Sequence, residues 1–349
     1  MASQIKRLMP SSGKALSKAP KSLSAGAAAF TLRVTVKLFR GFAITSAALA
    51  FAIAVLGSWV RINDAGLTCP DWPLCHGHVV PALAGGVVLE WSHRLVAFLE
   101  GFVVLGVIMT GIRERARIAG LTTALAALIA VFLAQIGLGG ATVLLANSPI
   151  SVMLHWAMGM ALLATLTSLA VLAIVAPVPH AMPALRPRFR GSVTPALVLA
   201  AAFAFATMCV GAYVSSSYAG LACTTVPACD GTLWGTTAAQ FVQMLHRALA
   251  GAFALVAFAA VAVIRRHGAG RAGVAAGTGL AFAALQIVLG FANVVLRLPT
   301  DMREVHAANA VTVFLCFVIA AVLSTLEPQP ATARTRKASL AVRGMASNA

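Results

Sequence analysis

Apolar residues run through this chain in long stretches, not in the two-residue or 3.6-residue periods of half-buried strands and helices. Eight stretches, near residues 41–60, 86–111, 119–140, 153–177, 193–212, 240–264, 273–296 and 304–326, approach or exceed the roughly 20 residues a spanning helix needs. The connections between them are short and alternate in character. One set carries arginines; the other carries cysteine, proline and glycine. The pattern predicts an all-α integral membrane protein with eight transmembrane helices.

Composition agrees. Of 349 residues, 60% are hydrophobic and 10% charged, against roughly a quarter charged in an ordinary soluble domain. The net charge of +17 raises the question of nucleic acid. Its distribution answers it: 21 of the 26 basic residues lie before the first span, after the last, or on alternate connections, such as Arg113, Arg115 and Arg117 or Arg265, Arg266 and Arg271. This asymmetry has a topological explanation and needs no nucleic-acid partner. By the positive-inside rule it places both termini and the arginine loops in the cytoplasm. The acid-free start also fits a mitochondrial transit peptide, which would make the inside a matrix; a basic, disordered cytoplasmic tail over 1–40 in a bacterial inner membrane is the preferred reading.

The chain contains an internal duplication. Residues 57–77 and 211–231 align without gaps with nine of 21 positions identical, including Cys69/Cys223, Pro73/Pro227 and Cys75/Cys229. His93-Arg94 then matches His246-Arg247, Gln135-Ile136-x-Leu138-Gly139 matches Gln286-Ile287-x-Leu289-Gly290, and His155 matches His306. The repeated unit is four helices, so the two copies run parallel. Two four-helix bundles related by a pseudo-twofold along the membrane normal are expected, 41–177 and 193–326, joined by a cytoplasmic linker at 178–192 and followed by a cytoplasmic tail at 327–349.

His93, His155, His246 and His306 each fall a few residues inside the outer end of an even-numbered helix. One such histidine could be a satisfied interior residue; four at matched positions indicate function. Two imidazoles facing each other within a half could supply both axial positions of a haem iron. Zinc fits less well, because each half offers two histidines where zinc usually takes three or four protein ligands. The halves differ at one telling position. Glu90 lies one helical turn before His93, whereas Gln243 stands before His246. An intramembrane carboxylate is costly unless paired or working, so the half with Glu90 is the candidate for chemistry. The alternative is a structural anchor paired with Arg61, Arg94 or the backbone. In the outer loops, Cys69 with Cys75 and Cys223 with Cys229 read as intraloop disulfides on the oxidising side of the membrane; thiol–disulfide exchange or a metal site is the alternative for the first pair.

Ala65–Gly77 (AGLTCPDWPLCHG), Glu90-Trp91-Ser92-His93-Arg94 and Gln135–Leu144 leading to His155, with His246-Arg247 and His306 in the second half, resemble the haem A synthase family, in its bacterial form with loop cysteine pairs. The resemblance covers about residues 41–326. It implies an oxidoreductase that converts haem O to haem A by successive hydroxylations of the C8 methyl group, the second giving a diol that loses water to leave a formyl group, for cytochrome oxidase assembly. It implies that His93 and His155 hold the substrate haem with Glu90 essential nearby, and that His246 and His306 ligate the iron of a haem b cofactor. The partners it implies are haem O, the haem O synthase that supplies it, an unidentified electron donor, the lipid membrane and a second copy of the chain. A dihaem b-type electron carrier is the alternative; a transporter of parallel repeats leaves the four histidines unexplained. This chain departs from the family pattern in its long basic start and in the second loop, Cys223–Cys229, which lacks the Asp-Trp of the first.

Overall fold

A computed structural model of the chain describes residues 21–116, 118, 120–175, 191–268 and 270–326, with side chains from residue 34 onward. Eight α-helices follow one another: α1 Lys21–Ile62, α2 Gly86–Glu114, α3 Leu121–Leu144, α4 Pro149–Val175, α5 Val193–Ser216, α6 Ala238–Arg266, α7 Gly270–Val295 and α8 Thr300–Leu326. All eight are long and apolar enough to cross a membrane, as the apolar stretches predict. Helices suit a bilayer because each satisfies its own backbone N–H and C=O groups. Several boundaries follow from local chemistry. Pro149 opens α4, where a missing N–H costs nothing. Thr237 and Gln240 form a capping box at the start of α6.

One boundary differs from expectation. The first span is expected from residue 41 after a disordered tail, but the helical backbone starts at Lys21 and its apolar membrane-length part at Val34. Ala25, Ala27, Ala28 and Ala29 are strong helix formers and no proline lies between Pro20 and Pro70, so a helix nucleated in the apolar run extends upstream. Residues 1–20, most of the linker and the tail from 327 lie outside the described residues.

In the first half α1 packs on α2 and α4, and α3 on α4, while α2 meets α3 only sparsely. In the second half α5 packs on α6 and α8, α7 on α8, and α6 meets α7 more fully. The halves join through α4 against α5 and α8, and α1 against α8. Exchanging the halves leaves this set of pairs unchanged. One continuous core runs through both halves and the helices of that junction, with Leu163, Leu166, Leu169, Leu197 and Phe317 fully buried. In a bilayer such a core is held by close van der Waals fit, since lipid is as apolar as leucine.

The duplication reaches the backbone. Left-handed φ angles recur at Asp64 and Tyr218, His76 and Asp230, Ala146 and Arg297, and Asn147 and Leu298. Such angles are uncommon outside glycine, so four matched pairs mark the same turn built twice. The α3–α4 turn packs on the loop that follows α1: a Cβ on Gly66 would lie 2.5 Å from Asn147, and one on Gly220 would lie 2.8 Å from Leu298. Both turns, both loops and the histidine-bearing ends of α2, α4, α6 and α8 therefore gather at one end of the molecule.

Candidate functional site

Each half builds a histidine pair in the same way. His93 on α2 lies against α1 at Gly57, where a Cβ would sit 2.8 Å from the imidazole Cε1; His246 on α6 lies against α5 at Gly211 with the same 2.8 Å separation. His155 on α4 lies against Gly139 of α3, and His306 on α8 against Gly290 of α7, each at 3.2 Å by the same measure. Any side chain at Gly57 or Gly211 would displace an imidazole, which is why these helix positions need glycine despite its cost to helix stability.

The surrounding polar groups orient the rings. His246 Nδ1 lies 3.1 Å from the carbonyl oxygen of Thr207, which fixes Nδ1 as the donor and leaves Nε2 free to bind a metal. Gln286 reaches His306 at 3.1 and 3.2 Å and accepts a hydrogen bond from Asn309 at 2.7 Å. Gln135 approaches His155 at 3.5 Å. Nδ1 of His93 and of His155 is buried with no partner among the described residues. Buried imidazole nitrogens without partners are expensive unless something binds there. Among the described residues no three His, Cys, Asp or Glu side chains converge as ligands of a bare ion. Two imidazoles per half, with glycines beside the rings, instead suit a flat macrocycle that supplies the equatorial ligands itself. The residues present therefore fit haem.

Glu90 is buried and fully engaged. One carboxylate oxygen accepts from the backbone N–H of Cys69 at 2.8 Å and from Thr68 Oγ1 at 2.9 Å; the other pairs with Arg94 at 2.6 Å. Arg94 also donates to the carbonyls of Cys69, Asp71 and Leu74. Together they clamp the first loop onto α2. Gln243 and Arg247 do the same for the second loop: Gln243 accepts from Cys223 N–H at 2.5 Å and donates to Gly220 O, while Arg247 donates to the carbonyls of Cys223, Thr225, Pro227 and Ala228. Glu90 thus makes the anchor contacts that the sequence offered as its alternative role.

The disulfides Cys69–Cys75 and Cys223–Cys229 are both formed, with Cα–Cα distances of 4.6 and 4.7 Å. Asp71 closes the first loop by accepting from the backbone N–H groups of Gly77 and His76. These bonds, Gly77 foremost, hold its carboxyl below the ordinary range. Thr224 does the same for Asp230 in the second loop.

Three further features carry no role in the sequence reading, although Glu100 and Glu304 stand out there as acids within or at the edge of a span. Glu100, buried on α2, accepts a hydrogen bond from Ser46 of α1, and its second oxygen is unpartnered among the described residues. Glu304 of α8 is buried at the edge of its span with both oxygens likewise unpartnered. Between the halves, Arg61 pairs with Asp64 at 2.8 Å and donates to Ser215 O, with the Tyr218 ring beside it. Intramembrane carboxylates are themselves a signal, but their partners come from other helices.

Fold and site define a class: a multi-span membrane protein of two homologous four-helix halves, each with a buried histidine pair suited to haem. A family model described as "Cytochrome oxidase assembly protein" (COX15-CtaA) matches residues 40–87 and 85–318, and the chain belongs to this family. It is similar to proteins named "Heme A synthase" from several bacteria. With that of Exiguobacterium sp. it shares 29% identity over 206 residues, 58% of this chain and 65% of that protein. With that of Bacillus licheniformis it shares 29% over 238 residues, 66% of this chain and 77% of that protein. With that of Geobacillus kaustophilus it shares 30% over 223 residues, 63% and 69% respectively. The chain thus spans about two thirds to three quarters of these relatives.

Proposed function

We propose that this chain is a haem A synthase of a bacterial inner membrane, an oxidoreductase that converts the C8 methyl group of haem O into the formyl group of haem A. Its relatives bear that name, and the matched histidine cradles at Gly57, Gly139, Gly211 and Gly290 are the observation that carries the reading. In this reading both termini lie in the cytoplasm and the cysteine loops outside, which the positive-inside distribution of the basic loops supports. A pseudo-twofold along the membrane normal relates the halves, in keeping with the exchange-invariant helix pairs. The unit boundaries are those of the repeat, 41–177 and 193–326.

In this reading His93 and His155 hold the substrate haem O, and His246 and His306 hold a haem b. When bound, haem b supplies one-electron transfer. The chain's own residues do the rest. Gly57 and Gly139 let the imidazoles of His93 and His155 approach α1 and α3 closely, which would set the substrate's position. Thr207 orients His246, and Gln286 with Asn309 holds His306. The clamped loops cover the histidine ends of the helices and limit water there. Glu90 is the catalytic candidate, being the carboxylate nearest the substrate histidines in sequence and present only in the first half. With both oxygens already accepting hydrogen bonds, it suits electrostatic stabilisation of developing positive charge better than proton abstraction. The partners in this reading are a haem O synthase and an electron donor.

The test is to express the chain in cells that supply haem O and extract the pigments. Haem A with its hydroxylated precursor is expected. Recovery of haem b alone while haem O is available would overturn the reading in favour of a dihaem electron carrier.

A further inference from the structure

The two loops differ in where their aromatic residue goes. In the first, the Trp72 ring leaves its own helix pair and lies across α3: a Cβ on Gly140 would sit 3.2 Å from that ring. Gly140 adjoins Gly139, which cradles His155. The repeat matches Trp72 to Val226 and Gly140 to Phe291. The second half therefore reverses the arrangement, with a small residue on the loop and the ring on the helix. Its loop aromatic, Trp234, stays over α6, with its ring 5.9 Å from that of Phe241.

The surroundings reinforce the difference. α2 and α3 meet only sparsely, whereas α6 and α7 pack more fully. Trp72 thus reaches across the less closed side of its half, from a loop closed on itself by the Cys69–Cys75 bridge and fastened to α2 by Glu90 and Arg94. A ring carried by a loop can move aside when a ligand exchanges; a ring carried by a helix cannot without moving the helix. Trp72 is partly exposed, so its ring has a free face to offer.

We propose that Trp72 is a substrate-binding residue: its indole packs against the haem O macrocycle held by His93 and His155, and the second half lacks this contact because its haem does not exchange. This inference rests on the haem A synthase reading. Aromatic contact of this kind strengthens binding by an amount that corresponds to roughly tenfold in affinity.

The full-length protein carrying its haem b is purified and titrated with haem O by absorbance, as wild type, Trp72→Val and Trp72→Phe. Trp72→Val installs the residue of the second half. We expect it to weaken haem O binding roughly tenfold, with Trp72→Phe weakened less. Haem b per polypeptide and the Cys69–Cys75 bridge, followed by mass spectrometry, stay as in wild type. Haem O binding by Trp72→Val equal to wild type overturns the proposal, as does a parallel loss of haem b, which would mark a general structural role. Failure of the wild type itself to take up haem O overturns the functional reading and this inference with it, and the wild-type titration separates that case from the others.

Discussion

At the scale of single residues, glycine and histidine carry the site together. Gly211→Ala puts a methyl group 2.8 Å from the His246 ring, and the ring cannot keep its place. We expect lowered haem b content and a shifted Soret band, while Gly57→Ala leaves the haem b spectrum intact and lowers haem O uptake. Absorbance spectra of the two purified variants check this directly. Glu90→Gln installs the residue of the second half, and Gln243 shows that an amide can hold the loop. The loop and haem b content should therefore survive, while haem A production falls by roughly a hundredfold. Unchanged production would leave Glu90 as an anchor alone. Glu90 and the four histidines were legible from the sequence because polar groups stand out in apolar stretches. The glycine cradles were not: Gly57 and Gly211 were visible as identities, but only the packing of α1 on α2 and of α5 on α6 gives them a purpose.

At the scale of elements, each outer loop is a small unit closed by a disulfide and fastened by an arginine. Arg94→Ala would leave the buried Glu90 carboxylate without its counter-charge and release three loop carbonyls. Removing one partner of such a pair costs about 3–5 kcal/mol, so a clear drop in Tm is expected, with the first loop opened to proteolysis. Acid should act on the same loops. Asp71 is held below the ordinary carboxylate range, by the Gly77 N–H first of all, so its contribution is complete above the unfolded-state value and fades as pH falls through the lowered one. The protection of the Gly77 amide against hydrogen exchange, relative to its intrinsic rate at each pH, should hold at neutral and mildly acidic pH and be lost only in strong acid; loss near neutrality would contradict this. The cysteine pairing was legible from spacing. The clamp was not, since neither Arg94 nor Arg247 reveals which carbonyls it reaches until the loop is folded over it. The start of α1 was misplaced for a related reason: hydropathy marks the apolar run but not how far helix propensity carries upstream of it.

At the scale of the whole molecule, eight spans and a fourfold-matched histidine frame follow from the sequence, because length, apolarity and repeat offset are linear properties. The way α1, α4, α5 and α8 build the junction does not, since it depends on which faces meet. That junction places two nearly equivalent sites in one fold, and in the proposed reading small differences, Glu90 against Gln243 and Trp72 against Val226, divide their roles. The central claim is this division. It is tested most directly by purifying His93→Ala and His246→Ala variants from cells that make haem O and extracting their pigments. The account predicts that His93→Ala retains haem b but carries neither haem O nor haem A, while His246→Ala loses haem b and still binds haem O. Loss of the same pigments from both variants, or of haem b from His93→Ala alone, would contradict it.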